Sequence, residues 1–575
     1  MESQTKVCQN CKQEFVIEPE DFAFYEKMKV PPPTFCWRCR FQRRSAYRNE
    51  RKAFFNTSLK SGKKVFSLYS KQSNIPVYSD EEWYEDDWDA MQYGRDYDFS
   101  KTFFEQFHDI AVSVPHKGSS CEHGNLRSDF VVNSDTAKDS YLVFNTSAME
   151  ACAYCNASHR CRECFDSTNM NDCELSYELF LSTKCYRTHF SSQCIDCTNV
   201  LFSKNCKGCV DCFGCVNLKN KSHCFFNEQL SKEDYQKSIA ELRLNTWSGC
   251  MEAKKTAHEF WLKFPIKYIQ GVNNLNVLGE YISNSRNIYM GYLVQGADNL
   301  RYCQEQMFPG AKDSMDISVW GSPSEICYEN AICGYGCFNS KFCVECWPQN
   351  VNLEYCMFME NCSDCFASFG LKNKKYCIFN KQYSSDEYKE LKKKIIERMD
   401  SMPFMDKKGR IYKYGEFFPA EHSPFGYNTS VVSDHFPLAR EQVLKEGYNW
   451  DDVERTEYET NTDASELPNS INDVKDDIVS KLIACYKCKR AYRIIKAELD
   501  FLRQEGLPLP RLCVDCRFAD RLSQRNKSQL YHRKCMCDKK HAFHAGHCEN
   551  EFETSYAPSR PEIVYCEQCY NSEVA

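Results

Sequence analysis

The chain has 575 residues and a mass of 67.3 kDa, which is too long for one compact core and predicts several domains or an extended repeat. Hydrophobic residues make up 42% and charged residues 27%, the net charge is −7 and the mean hydropathy is −0.61, so the composition excludes a disordered chain. The first residues show no export signal, and no segment approaches the roughly 18 uninterrupted apolar residues that cross a bilayer. We therefore expect a cytoplasmic protein.

Cysteine is the most informative residue type, with 38 in the chain. A reducing compartment disfavours disulfides, so these thiols are expected to be metal ligands or buried side chains. A secreted disulfide scaffold is the alternative, and it would require an export signal.

Residues 1–50 contain two CxxC pairs separated by 24 residues, and residues 479–530 repeat this spacing. Four thiolates at such a spacing can surround one tetrahedral zinc ion, and the metal replaces the core that so small a unit lacks. The chain thus carries two copies of one module, which we call the N-terminal and C-terminal modules. Their predicted zinc ligands are Cys8, Cys11, Cys36, Cys39, Cys485, Cys488, Cys513 and Cys516.

After its second pair, each module runs through a dozen polar residues without Gly or Pro, which predicts a helix that begins at the metal site, as in a treble clef. Arginines recur there every four residues, as Arg40, Arg44 and Arg48 and as Arg517, Arg521 and Arg525. Such a basic stripe suits the phosphates of a nucleic acid. Alternatively, the stripe is a solvated face that pairs with the chain's own carboxylates.

Residues 51–115 look like a degenerate copy of the C-terminal ribbon, residues 531–575. Serine is a poor zinc ligand, so the copy is expected to have lost its metal. Ser58, Ser61, Ser79 and Glu82 stand where the ribbon has Cys535, Cys537, Cys566 and Cys569. These four cysteines predict a third zinc site, for which His541, His544, His547 and Cys548 compete as ligands. The predicted cofactor is therefore Zn²⁺ at about three sites.

Between residues 116 and 400 single cysteines recur with a step of 21 residues, at Cys152, Cys173, Cys194 and Cys215 and at Cys164, Cys185 and Cys206. A fixed step of this kind predicts stacked coils of about 21 residues in a parallel β-solenoid, with the thiols as a core ladder. Metal or redox chemistry at pairs such as Cys152 with Cys155, or Cys343 with Cys346, is the alternative.

A larger duplication lies over this repeat, because "DCFGCVNLKNKSHCFFNEQ" at Asp211 matches "DCFASFGLKNKKYCIFNKQ" at Asp364. Each half is followed by a predicted capping helix, which begins after Ser231 or Ser384. The predicted organisation is a zinc module at 1–50, a degenerate ribbon at 51–115, solenoid halves at 116–230 and 266–383, capping helices at 231–265 and 384–402, an irregular aromatic strap at 403–450, a flexible acidic linker at 451–478, a zinc module at 479–530 and a zinc ribbon at 531–575.

Several segments resemble a family of uncharacterised zinc-ribbon proteins from candidate-phylum bacteria with small genomes. They are "CKQEFVIEPEDFAFYEKMKVPPPTFCWRCRFQRR", "NLKNKSHCFFNEQ", "LKNKKYCIFNKQY", "EFFPAEHSPFGYN" and "NEFETSYAPSRPEIVYCEQCY". The resemblance implies zinc binding by the eight module cysteines and the final site, and it brings no established activity. The chain departs from the family pattern at Ser58, Ser61, Ser79 and Glu82, where relatives are expected to carry cysteines.

No dinucleotide fingerprint, P-loop, nucleophile elbow or HExxH motif occurs in the chain. We therefore expect a mainly β, non-enzymatic zinc scaffold that contacts RNA, DNA or a nucleoprotein through its arginine helices. The first alternative is a protein-binding scaffold in which the arginine stripes dock internally and the acidic segment 451–478 is a candidate partner for them. A solenoid enzyme that acts on carbohydrate or thiols is a more distant alternative.

Overall fold

The computed structural model describes residues 2–121, 124–306, 309–319, 321, 323–453 and 458–574. Strand accounts for 29% and helix for 25% of the chain, which confirms a mainly β protein. The chain forms two compact units that are discontinuous in sequence. The first unit contains Met1–Ser119, Ile269–Val453 and Lys527–Leu530, and the second contains Ser120–Tyr268, Glu454–Asn526 and Tyr531–Ala575. Each unit thus combines one cysteine module with one ladder of parallel strands.

The ladder of the second unit, residues 126–229, is regular and is called the regular ladder. Its parallel bridges join residues twelve apart, for example Leu126 with Lys138 and Ile195 with Lys207. Every third residue over much of the ladder has a positive φ, beginning with 46° at Arg127 and 57° at Phe130. Each turn therefore has four corners and four three-residue sides. The predicted coil of about 21 residues is wrong, because the true step is twelve.

The interior of the regular ladder is lined by every third residue from Val131 to Cys215, and each of these residues is buried. They are Cys, Ser, Thr, Ala, Val, Met or Leu, which are small or slender enough for a narrow interior. The Cys152 thiol contacts the carbonyl oxygens of Glu150 at 3.3 Å and of Cys161 at 3.4 Å. The expectation of buried, stacked thiols is confirmed. Because 21 is a multiple of three, cysteines 21 residues apart all point inward, but because 21 is not a multiple of twelve, they lie on different sides of a turn.

The ladder of the first unit, residues 271–382, is less even and is called the variable ladder. Its parallel partners are eleven residues apart at Leu275 and Arg286, fourteen apart at Asp298 and Lys312, and twelve apart at Val351 and Ser363. The shorter and longer turns explain why one period does not fit its sequence.

Both ladders end in the same way, as the duplicated closing sequence suggests. An antiparallel pair follows the last parallel strand, with Cys224 opposite Gln229 in one ladder and Cys377 opposite Gln382 in the other. A helix then begins, and its N-cap is Ser231 or Ser384 as predicted. The side-chain oxygen of each cap serine accepts a hydrogen bond from the third helical residue's N–H.

The first unit contains the helices Pro19–Met28, Trp37–Ala46, Asp80–Tyr84, Phe103–Ala111, Ser385–Ser401, Val432–His435 and Arg440–Lys445. Its strands are Gln4–Val7, Glu14–Ile17, Phe54–Thr57, Lys64–Ser67, Val77–Tyr78, His116–Lys117, Gly271–Val272, Leu275–Ser283, Arg286–Gln295, Asp298–Arg301, Gln304–Gln306, Ala311–Ser318, Ser324–Ala331, Cys337–Lys341, Val351–Glu354, Ser363–Phe366, Cys377–Ile378, Lys381–Gln382, Phe404–Met405 and Ile411–Tyr412. One face of the variable ladder carries aromatic side chains that pack on the Phe103–Ala111 helix, as Tyr355 does against Phe103.

The second unit contains the helices Lys232–Glu241, Trp247–Trp261, Lys496–Glu505, Val514–Ser523 and Glu567–Val574. Its strands are Ser147–Glu150, His159–Arg162, Thr168–Asn171, Phe180–Thr183, Thr198–Leu201, Val210–Phe213, Ser222–Phe225, Glu228–Gln229, Ile266–Lys267, Thr462–Asp463, Ile483–Ala484, Ala491–Tyr492, Tyr531–Lys534, Lys540–His541, His544–Ala545, Glu551–Thr554 and Val564–Tyr565. Phe501 of the Lys496–Glu505 helix packs on Phe165 and Tyr177, so one side of the regular ladder is covered.

The acidic segment differs from the flexible linker predicted for residues 451–478. Residues 454–457 lie outside the described part of the chain. From 458 to 478 the segment packs on the second unit through buried apolar side chains, and these alternate with the carboxylates that suggested a linker. They are Leu467, Ile471, Val474 and Ile478. Among the described residues, no helix combines the length and the apolar character needed to span a bilayer.

A substitution in the regular ladder tests its three-residue pattern. Cys197→Leu enlarges a fully buried inward side chain, whereas Thr198→Leu places the same side chain at the neighbouring exposed position. Because overpacking a filled interior costs about 1 to 3 kcal/mol, we expect the Cys197 variant to lose that much unfolding free energy. Urea unfolding measures both variants, and equal losses would contradict the pattern.

Candidate metal centres

The N-terminal module brings its four cysteines together at the base of a helix. The hairpin of Gln4–Val7 and Glu14–Ile17 presents Cys8 and Cys11, and the second pair lies where the helix Trp37–Ala46 begins. All four sulfurs lie within 4.8 Å of one another, and Cys11 Sγ is 3.8 Å from Cys36 Sγ. Tetrahedral zinc with bonds of about 2.3 Å requires sulfurs roughly 3.8 Å apart, so the cluster fits that ion.

The C-terminal module reproduces this geometry with Cys485, Cys488, Cys513 and Cys516. The Cys513 N–H donates to Cys485 Sγ at 3.2 Å, as the Cys36 N–H donates to Cys8 Sγ at 3.3 Å. Burial opposes ionisation of Cys488, but the hydrogen bond from the Arg490 guanidinium, at 3.3 Å, lowers its pKa to about 6. A thiolate is the form that binds metal, so this partner favours coordination.

The basic stripe of the N-terminal module is buried against the variable ladder. Arg40 and Arg44, which are 2% and 0% exposed, both contact the Asp316 carboxylate, at 2.7 and 3.2 Å. Burial disfavours the charge of Arg40, yet the neighbouring Asp316 holds the pKa of Arg40 well above its ordinary value. Burial raises the pKa of Asp316 above its ordinary value, although Arg40 and Arg44 act to lower it, so the contact is a desolvated one.

Two further arginines of the N-terminal module extend this network. Arg43, which lies outside the predicted stripe, contacts Glu329 at 3.0 Å and Glu416 at 3.1 Å. Arg48 follows the helix and contacts Glu305 at 3.0 Å. Arg43 and Arg48 are buried as well.

The C-terminal module docks on the regular ladder in the same manner. Arg517 contacts both Asp166 and Glu498, the latter at 2.7 Å, and Arg521 contacts Asp166 at 3.3 Å. Arg517 and Arg521 are 3% and 2% exposed, while Arg525 lies beyond the helix and is half-buried.

The predicted phosphate-binding stripes are thus turned inward, except for Arg525. A phosphate group would have to displace a buried carboxylate to reach the others, and an uncompensated buried charge is costly. The alternative prediction, that the arginines pair with the chain's own carboxylates, agrees with the geometry. The arginine–carboxylate pairs are, however, buried and not on a solvated face. The carboxylates come mainly from the ladders and not from the acidic segment, which differs from the partner that the sequence suggested.

Each module also contains a buried acid that sequence reasoning did not single out. Asp21 and Glu498 both stand thirteen residues after the first cysteine of their module. Asp21 accepts a hydrogen bond from the Tyr302 hydroxyl at 3.0 Å, and Glu498 accepts one from the Tyr154 hydroxyl at 3.2 Å. Their equivalent positions in the two copies of the module were the sequence feature from which a shared role of these acids could have been predicted.

The C-terminal ribbon corrects the predicted third ligand set. The cluster consists of Cys535, Cys548, Cys566 and Cys569, so Cys548 takes the place expected for Cys537. The two residues are neighbours in the fold, because the Cys548 N–H donates to the Cys537 carbonyl. Burial opposes ionisation of Cys566, but the Asn550 amide, 3.5 Å from its sulfur, lowers its pKa to about 7.

Cys537 belongs to a second group in the ribbon, with His541, His544 and Cys569, whose ligand atoms also lie within 4.8 Å of one another. The remaining competitor, His547, lies apart from both groups and contacts Asp538 at 2.7 Å. The predicted ligands Cys535, Cys566 and Cys569 are therefore together, and Cys569 is common to two groups.

The degenerate copy holds a hydrogen-bonded cluster where the ribbon has its sulfurs. The Ser58 hydroxyl donates to Glu82 at 2.5 Å, and the Ser79 N–H donates to the same carboxylate at 2.9 Å. Although burial raises the pKa of Glu82, hydrogen bonds from Ser58 and Ser61 lower it below its ordinary value. The four replaced positions still meet, and hydrogen bonds to Glu82 join them in the absence of sulfur ligands.

No family model matches the chain, and no curated protein matches it either. The family suggested by the sequence motifs therefore stays a prediction.

A matched pair of variants tests the buried network. Asp166 and Asp172 both occupy left-handed corners of the regular ladder, but Asp166 is buried between two arginines while Asp172 forms an exposed pair with Arg160. Asp166→Asn removes the carboxylate that the buried Arg517 and Arg521 share and leaves Arg517 with Glu498 alone, so we expect it to cost about 3 to 5 kcal/mol of unfolding free energy. Asp172→Asn is expected to cost less than about 1 kcal/mol. Urea unfolding at neutral pH checks both, and similar costs would show that the docking contact is energetically neutral.

Proposed function

We propose that this chain is a non-enzymatic, multi-zinc scaffold that binds another protein, built on a duplicated parallel β-solenoid. The observation that carries the proposal is the repeated docking contact. In both units a four-cysteine cluster stands directly beside a buried arginine that reaches a ladder carboxylate, Arg40 after Cys39 and Arg517 after Cys516.

The metal gives this contact its geometry. Arginine–carboxylate pairs lose hydration on burial. Their mutual attraction offsets the desolvation free energy only when the two groups are held in good alignment. A zinc ion that closes the four-cysteine cluster fixes the first turn of the arginine helix, and so presents the guanidinium to the ladder without further loss of freedom. Zinc binding and docking of the module are thus one coupled event in this proposal.

The exposed charged side chains of the regular ladder form a surface that we call the wall. Its charge pattern favours a protein partner over a nucleic acid. Exposed charges on the regular ladder alternate in sign from turn to turn, as in Arg127 with Asp139 and Lys138 with Glu150, each pair at 2.6 Å. Protein surfaces that bind nucleic acid concentrate positive charge, whereas this wall carries positive and negative side chains in balance. A rim of mixed charge is typical of protein interfaces.

The proposal places the protein in a reducing compartment, the cytoplasm. All 38 cysteines lie within the described residues, and each is a free thiol. Thiolate ligands and a thiol-lined interior both depend on cysteines that stay reduced.

Affinity capture with the full chain tests the proposed partner. We expect captured protein to survive nuclease treatment, and we expect the wall variant Arg127→Ala/Arg160→Ala to reduce its recovery about tenfold, since both side chains are exposed. The control Lys232→Ala/Lys237→Ala removes the same charge from the exposed side of a capping helix. Recovery is measured by quantitative mass spectrometry.

Two results would contradict the proposal. Release of the captured material by nuclease would favour the nucleic-acid hypothesis, and equal recovery with the wall and control variants would remove the wall from the interface. Thermal unfolding and metal content of each variant show that the fold is unchanged.

A further inference from the structure

The C-terminal ribbon presents two ligand groups that overlap at one sulfur. The first is Cys535, Cys548, Cys566 and Cys569, and the second is Cys537, His541, His544 and Cys569. We propose that the ribbon holds two zinc ions bridged by the Cys569 thiolate, which adds a fourth metal to the chain. This centre goes beyond the proposed scaffold, which requires only the four-cysteine clusters of the two modules.

The number of ligands fits two ions and not one. The two groups together supply seven side chains, five thiols and two imidazoles. Two tetrahedral ions have eight coordination positions, and seven ligands fill eight positions when one of them is shared. A thiolate sulfur can bridge because it has more than one lone pair, and Cys569 is the residue common to both groups.

The distances in the second group also suit a tetrahedral ion. His541 Nε2 lies 3.3 Å from Cys537 Sγ, and His544 Nε2 lies 3.2 Å from Cys569 Sγ. Bonds of about 2.0 Å to nitrogen and 2.3 Å to sulfur give an edge of roughly 3.5 Å, so a small expansion seats the ion. The hairpin of Lys540–His541 and His544–Ala545 holds the two rings on adjoining strands.

The tautomer of His544 is already suited to coordination. Its Nδ1 lies 2.7 Å from the Gly546 carbonyl oxygen, which can only accept, so Nδ1 carries the proton. The lone pair is then on Nε2, the atom that faces Cys569. Metal-binding histidines are commonly oriented by such a hydrogen bond from the second ring nitrogen.

Charge supplies a reason for the second ion. Four thiolates around one divalent ion leave two negative charges in a buried cluster, whose cysteines are 6% exposed or less. A second ion that recruits one further thiolate and two neutral imidazoles reduces the total to a single negative charge. The bridging sulfur is shared, so the added ion also lowers repulsion among the first four thiolates.

Metal counting on the full-length protein tests the centre. Purified in excess zinc and then desalted, the wild-type chain is expected to contain four zinc ions by inductively coupled plasma mass spectrometry. His541→Ala/His544→Ala is expected to contain three, because the four-cysteine group of the ribbon keeps all its ligands. The matched control His547→Ala removes a histidine of the same loop that lies outside both groups and is expected to retain four.

Cadmium NMR tests the bridge on the unmodified chain, so the proposal does not depend on how a variant folds. With ¹¹³Cd in place of zinc, two resonances are expected to show mutual scalar coupling, which requires a shared sulfur. Three zinc ions in the wild-type chain, or four uncoupled cadmium signals, would overturn the bridged pair. A wild-type count below two would instead remove the module sites on which the scaffold proposal depends, so the two failures are distinguishable.

Discussion

The buried contact between an arginine and a ladder carboxylate is the constraint on which each unit depends. Asp316 and Asp166 lie where water cannot solvate them, and each receives two guanidinium groups from one helix. In each pair of arginines the first, Arg40 or Arg517, directly follows a cysteine of a metal cluster, so its backbone is fixed where the cluster closes. Two terminal modules that look like independent zinc domains are therefore fastened to the ladders by charge that is hidden from solvent.

Local features of this architecture could be predicted from the sequence. The spacing of Cys8, Cys11, Cys36 and Cys39 determines a cluster because a knuckle brings two thiols together whatever surrounds it. The sequence also predicts the serine caps at Ser231 and Ser384, since a cap depends only on the first turn of its own helix. In each case the determining contacts lie close together along the chain.

The remaining features depend on partners that are distant in sequence or on positions that cysteine does not mark. The step of twelve was missed because inward sites alternate among Cys, Ser, Val and Met, so cysteines alone sampled the pattern irregularly. The burial of Arg44 could not be foreseen, because its partner Asp316 is 272 residues away. Cys548 lies beside Cys537 through a backbone hydrogen bond inside the ribbon, and the spacing of the cysteines does not encode that neighbourhood.

The three-residue sides of the regular ladder restrict how its length can change. An insertion of three residues would move every later side chain by a quarter turn around the ladder. An insertion of this length before Asp166 would therefore move Asp166 away from the arginines of the C-terminal module. Removal of twelve residues would delete one whole turn and leave the remaining faces in phase. A change in the length of the regular ladder by whole turns should therefore keep Asp166 on the side that faces the C-terminal module.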